Sequence, residues 1–334
     1  MECCRNDSLS LKLDRGVTDL MKFLSCLMIA FHHYSQDRVI AGTDNIVYQL
    51  FSTQGGWLGV AIFFFLSGYG LMKSELKSHM ELVPFFKKRL VKTYFPAVLV
   101  SVVWEVYLVA SGLENLDFHV VTGALWKFND GVLWFVRAII CLYVAFCIYV
   151  WVRNKLNRRR ECAGVLLLIA ALSTSFLYFV RIVPYPVHAS SVMLFFLGVE
   201  LAERPDMFVK VIRLKYPVVL AFIALIVCAA VCRYNADVVH GVIDYLVIMS
   251  GVVFFSLYDV KILKLPAWMG SASYDMYLVH NKAKMLLVAN MKFVPLWAFA
   301  GLAAVFTIVF YHFREMVEKI LSCFAVTIAR TKDN

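Results

Sequence analysis

Lys22 and His33 stand eleven residues apart inside the first long apolar run of the chain. On a helix, eleven steps of about 100° return nearly to the starting direction, so both side chains share a face about 16 Å apart. Imidazole, with an unperturbed pKa of about 6.5, suits work as a base or transient acyl carrier at neutral pH. Lys22 would orient a donor or offset negative charge. Ionisable groups within a membrane span are costly and mark a reaction or transport pathway more often than a packing site. Asp19, one turn before Lys22, is a candidate ion-pair partner, and His32 and Tyr34 flank the histidine. The bland alternative has Lys22 snorkelling to one interface while His33 caps the opposite end near water.

Three further clusters carry chemistry-bearing types. Phe85-Phe86-Lys87-Lys88-Arg89 leads to Lys92, Tyr94 and Pro96. Lys88, Arg89 and Lys92 recur at helical spacing and suit the phosphates of a nucleotide-bearing donor, or else form an ordinary basic flank. Leu133-Trp134-Phe135-Val136-Arg137 opens a later span, with Trp134 a candidate belt residue and Arg137 one turn into an apolar helix. Ser273-Tyr274-Asp275-Met276-Tyr277-Leu278-Val279-His280 places Tyr277 and His280 one turn apart, able to face one interior. The acids Glu105 and Asp244 are expected to be structural partners of basic residues. Gly55-Gly56 and Ser67-Gly68-Tyr69-Gly70 permit close helix approach. They form no phosphate loop, because the GxxxxGK[ST] pattern is missing.

The elements that must position these groups are membrane helices. With 61% hydrophobic residues and a mean hydropathy of +0.74, an ordinary soluble domain is excluded. Apolar runs predict ten spans, at 17–34, 55–73, 93–111, 132–152, 162–180, 187–202, 216–232, 240–258, 272–290 and 296–313. Lys and Arg counts outside these spans alternate high and low without a break, which places both termini in the cytoplasm. The first run carries Asp19 and Lys22 and lacks a small-residue cleavage site, so it reads as a retained span. The chain is thus expected to be one all-α polytopic helix bundle over residues 1–334, with short tails 1–16 and 314–334 and no fused soluble domain. The net charge of +10 is divided among short loops, which favours anionic membrane lipids as partners and argues against nucleic acid. Nine scattered cysteines show no CxxC or zinc spacing, so neither a metal site nor a disulfide framework is expected.

Together and in this order, the segments resemble the acyltransferase-3 family of integral membrane O-acyltransferases. That family carries a basic residue, ten intervening positions and a histidine in its first span, matched by Lys22 and His33. Its aromatic Phe-Phe-x-Leu-Ser-Gly-Tyr/Phe stretch is similar to Phe64-Phe65-Leu66-Ser67-Gly68-Tyr69. Its Arg-x-x-Arg element with a following proline is similar to Arg89-Leu90-Val91-Lys92 and Pro96, with lysine replacing the second arginine. Its Leu-Trp-Phe matches Leu133-Trp134-Phe135, and its late Ser-Tyr-x-x-Tyr-Leu-x-His matches Ser273 to His280. Lysine at position 92 loses the bidentate phosphate fork.

The resemblance implies transfer of an acyl group, acetyl being expected, from acyl-CoA to a hydroxyl of a cell-envelope carbohydrate at the cytoplasmic membrane. His33 and Lys22 become the expected catalytic pair. Lys88, Arg89 and Lys92 become the expected acetyl-CoA contacts, and Asp19, Trp134, Arg137, Tyr277 and His280 the expected substrate contacts. No metal is implied. Some family members carry a fused extracytoplasmic domain, so a separate extracytoplasmic partner is a further expectation. The competing class is a transporter or flippase, whose inverted repeat and broken helices are not evident in the sequence. A structural or sensory protein leaves the shared face of Lys22 and His33 unexplained.

Overall fold

Asp14 starts the first helix, α1 (Arg15–Ile40), because its carboxylate accepts the Val17 N–H at 2.8 Å. Such a cap satisfies a donor that the first helical turn leaves open. In this computed structural model there follow α2 (Ile46–Lys77), α3 (Leu82–Ala110), the short α4 (Phe118–Thr122) and α5 (Trp134–Arg153). After them come α6 (Arg159–Phe179), α7 (Pro186–Glu203), α8 (Asp237–Leu257), α9 (Ala267–Asn290) and α10 (Leu296–Lys332). The structure describes residues 13–79, 81–127, 133–156, 159–183, 186–206, 237–257 and 267–332. Among the described residues the chain is all helical, with no strand. Each expected span falls on a helix except the seventh, 216–232, which lies outside the described residues.

α2, α3 and α5, with Cys162–Phe179 of α6 and Leu296–Ile320 of α10, are long and apolar enough to cross a membrane. α1 and α9 do not reach that apolar content, and the reason is instructive. α1 carries Asp19, Lys22, His32, His33 and Asp37; α9 carries Asp275, His280, Lys282 and Lys284. The two helices run parallel and bring part of this set together. Asp19 rests against the Gly270 backbone, the His33 and His280 rings stack, and Lys284 pairs with Asp37. Polar cost within the bundle is met by polar partners.

The other helices close around this pair. α2 runs antiparallel to α1, with Gly56 on the His32 ring and Gly59 against Ser25. α10 returns beside α9, where Phe299 stacks on Tyr34 at 5.4 Å. Midway along α10, the Arg314 guanidinium donates to both Asp275 oxygens, at 2.8 and 3.0 Å. α2 crosses α7 at very close range, because Gly68 lies on the Phe195 carbonyl and Gly198 on the Phe65 carbonyl. Small residues at a crossing let two backbones meet, which is how membrane helices gain contact when lipid competes for apolar surface.

Two of the helices are interrupted by a π turn. In α2 the turn is Phe51–Gly55; in α3 it is Leu90–Tyr94. The second lies just before Pro96, which lacks an N–H and cannot continue a regular ladder. There the Phe95 N–H reaches back to the Leu90 carbonyl. π turns free backbone carbonyls for partners outside the helix and recur at functional sites.

The Asp275–Arg314 pair yields a stability prediction. Asp275 is 1% exposed, and removing it leaves the Arg314 guanidinium only its 2.7 Å bond to Glu318. Asp275→Ala is expected to cost about 3 kcal/mol, the low end for a broken buried pair, because Glu318 still offsets the charge. Thermal unfolding midpoints in detergent check the loss.

Candidate active site

Three histidines meet where α1, α2 and α9 come together. His33 stacks on His280 with ring centroids 5.4 Å apart and 23° between planes, and His32 meets the edge of His33 at 4.9 Å. Each is oriented by an acceptor on its Nδ1–H. His32 donates to the Phe51 carbonyl at 2.7 Å, His33 to Gln36 Oε1 at 3.2 Å, and His280 to the Tyr277 carbonyl at 2.7 Å. With Nδ1 holding the proton, Nε2 is the lone-pair nitrogen on all three rings, the form a general base or nucleophile needs. The π turn of α2 supplies the Phe51 carbonyl, and Gly56 supplies the space. A Cβ at Gly56 would come within 2.5 Å of the His32 ring.

Around the stacked pair, Tyr277 lies 6.0 Å from His280 and meets Phe63 and Phe135, so α2 and α5 wall the site with aromatic rings. Lys284 reaches the His33 carbonyl at 3.4 Å and Asp37 at 3.2 Å. Among the described residues, no group of three or more His, Cys, Asp or Glu is arranged to hold a metal ion.

Lys22 is not part of this cluster. Its ammonium pairs with Asp19 Oδ1 at 3.0 Å, with Arg15 on the other carboxylate oxygen at 3.6 Å. The expected ion pair is present, one end of α1 away from His33. On the same side as Lys22, Lys88 and Arg89 line a cleft of about 160 Å3 with Ser74, Glu75, His79 and Pro84. The Arg89 guanidinium lies over the Phe85 and Tyr143 rings, at 5.5 and 5.6 Å. Its Nε is buried and has no hydrogen-bond partner. Lys92 is exposed on the π turn and does not line the cleft.

Trp134 is buried against Phe64 at 6.1 Å, an interior place rather than a belt place. Arg137 is half-buried, at helical spacing from exposed Val144 and Ile148, and its Nε is buried with no hydrogen-bond partner among the described residues. Asp244 is buried, but its partner is the Gln54 amide at 2.7 Å and not the basic residue expected for it. The signal missed in the sequence was a simple one. Asp37 follows His33 by four residues and Lys284 follows His280 by four, so both polar faces extend one turn further.

A family model described as an acyltransferase domain matches residues 18–314. The chain belongs to the acyltransferase-3 family. Among curated proteins and among solved structures, nothing matches it. With its apolar helices, this acyltransferase is a multi-pass membrane protein. The matched span begins one residue before Asp19 and ends at Arg314, so it takes in the histidine cluster, the basic cleft and the Asp275–Arg314 clamp of the acyltransferase.

Proposed function

We propose that this acyltransferase moves an acyl group, acetyl from acetyl-CoA, to a hydroxyl of a cell-envelope carbohydrate. The observation that carries the reading is the stacked His33–His280 pair, set above a basic cleft in which the buried Arg89 Nε has no hydrogen-bond partner among the described residues. The donor phosphates would bind Lys88 and Arg89, with Lys92 at the rim. From Arg89 to Thr93 is four residues of rise, and from Tyr274, level with Thr93, to His280 is six; at 1.5 Å each, the gap is about 15 Å. That is about half the thickness of the hydrocarbon core. An extended pantetheine arm bridges such a gap, so the thioester can reach the histidines while its phosphates stay at the basic face.

His33 Nε2 takes the hydroxyl proton as the acceptor oxygen attacks the thioester carbonyl. The C–O ester bond forms, the C–S bond breaks, and the thiolate leaves with the proton from the imidazolium. The same nitrogen serves a two-step route in which it holds the acyl group before the acceptor arrives. His280 orients the His33 ring by stacking. Lys22 and Asp19 hold the basic end of α1, and Trp134 and Tyr277 shape the aromatic wall near the acceptor. Arg137 would meet an acceptor or lipid headgroup. Both termini would be cytoplasmic, in a ten-span bundle of the cytoplasmic membrane, with no metal in the reaction. A separate extracytoplasmic partner would complete acceptor delivery.

Incubating purified protein with radiolabelled acetyl-CoA and candidate glycans tests the reading. Label in the glycan supports it; intact thioester with every acceptor and no CoA release would sink it. Within the donor cleft, Arg89→Gln is expected to raise the KM for acetyl-CoA about 10-fold or more with kcat little changed, since charge-assisted hydrogen bonds are the strong ones. Lys92→Gln should raise it less, because an exposed charge is screened by water. Initial rates at varied acetyl-CoA check both.

A further inference from the structure

The donor cleft and the histidine pair touch through one side chain. The Tyr274 hydroxyl on α9 donates to the Thr93 carbonyl at 2.6 Å, in the π turn that joins Arg89 to Pro96. On the cleft side, Thr93 Oγ1 lies 3.4 Å from the Tyr143 hydroxyl, and the Tyr143 ring carries the Arg89 guanidinium. On the other side, the Tyr274 ring stacks on Tyr277 at 6.2 Å with 18° between planes. Tyr277 meets His280, and His280 stacks on His33. Rings and hydrogen bonds therefore run without a break from the basic cleft to the proposed reacting nitrogen.

We propose that Tyr274 is a positioning residue for the donor: its hydroxyl sets the shape of the Leu90–Tyr94 turn and so the placement of Arg89 and Lys92. The physical reason lies in the turn. A π turn ahead of a proline has lost regular ladder bonds, so its backbone depends on partners from outside the helix. Tyr274 supplies one such bond from a rigid neighbouring helix. Losing it removes the bond that the neighbouring helix gives this turn and lets the turn relax, with the guanidinium no longer held over its rings. Tyr274 itself touches neither phosphate nor acyl group in this scheme, so the chemistry at His33 continues once the donor is bound.

The proposal rests on acyl-CoA being the donor, and the experiment separates the two. CoA binding is measured by calorimetry on wild type and Tyr274→Phe in nanodiscs, beside the kinetics of acetyl-CoA cleavage. Tyr274→Phe is expected to weaken CoA binding and raise the KM by about 5- to 30-fold, with kcat within about 3-fold of wild type. Added to Arg89→Gln, it should cause little further loss, because both act through one contact; a merely structural role gives independent, additive losses. Should Tyr274→Phe not fold, Tyr143→Phe keeps the ring under Arg89 while removing the Thr93 contact, and a smaller rise in KM is expected. Unchanged CoA affinity and KM in the folded variants overturns the positioning role while leaving the donor reading intact. A wild-type protein that binds no CoA overturns both, and the wild-type arm alone reveals it.

Discussion

Replacing His33 by alanine is expected to lower acyl transfer by about 100- to 10,000-fold, the range seen when a positioned acid–base group is lost. The protein should still fold. The His33 ring is only partly buried, and its hydrogen bond is to Gln36 one turn along the same helix. Size-exclusion profiles and unfolding midpoints check the fold, and initial rates with acetyl-CoA and acceptor check the loss. A variant retaining more than about a tenth of the activity would place the chemistry elsewhere. The same protein separates base from carrier. Rapid denaturation near neutral pH, with labelled acetyl-CoA and no acceptor, leaves label on the wild-type chain, absent from His33→Ala, only if the imidazole holds the acyl group.

The second large effect concerns the fold. An alanine at position 68 would drive its methyl group into the Phe195 carbonyl, and backbone cannot swing aside as a side chain can. Gly198 makes the reciprocal contact with the Phe65 carbonyl. Gly68→Ala is expected to cost about 3 kcal/mol or more, since overpacking here must separate two helices. Unfolding midpoints and the yield of monodisperse protein read it out. Gly70 is the control in the same helix: nothing lies within 4 Å of its added methyl. Gly70→Ala should therefore be neutral or slightly stabilising, as alanine is the better helix former. Equal behaviour of the two variants would rule out close backbone contact at the α2–α7 crossing.

Much of the site was legible as residue types. The Lys22–Asp19 pair, the basic run at Lys88 and Arg89 and the polar face of α9 all stand in the sequence at helical spacing. Their roles were less legible. Lys22 and His33 share a face, yet the lysine is committed to Asp19 while the histidine finds its partner on another helix. Trp134 looked like an interfacial ring and is buried against Phe64. Gly70 and Gly68 belong to one small-residue stretch, yet only Gly68 lies at a crossing.

Periodicity and hydropathy are local properties, so the sequence by itself determined that the chain is a set of apolar helices with a few costly polar groups inside them. It also showed which groups share a face, because that depends only on 3.6 residues per turn. Tertiary structure alone decided that α1 lies parallel to α9 and brings His33 onto His280. It also decided that two π turns aim carbonyls at His32 and Tyr274. Those contacts depend on which helices are neighbours and at what height they meet. Both follow from the packing of the whole bundle, through crossings such as Gly68 on Phe195, and no local spacing encodes them.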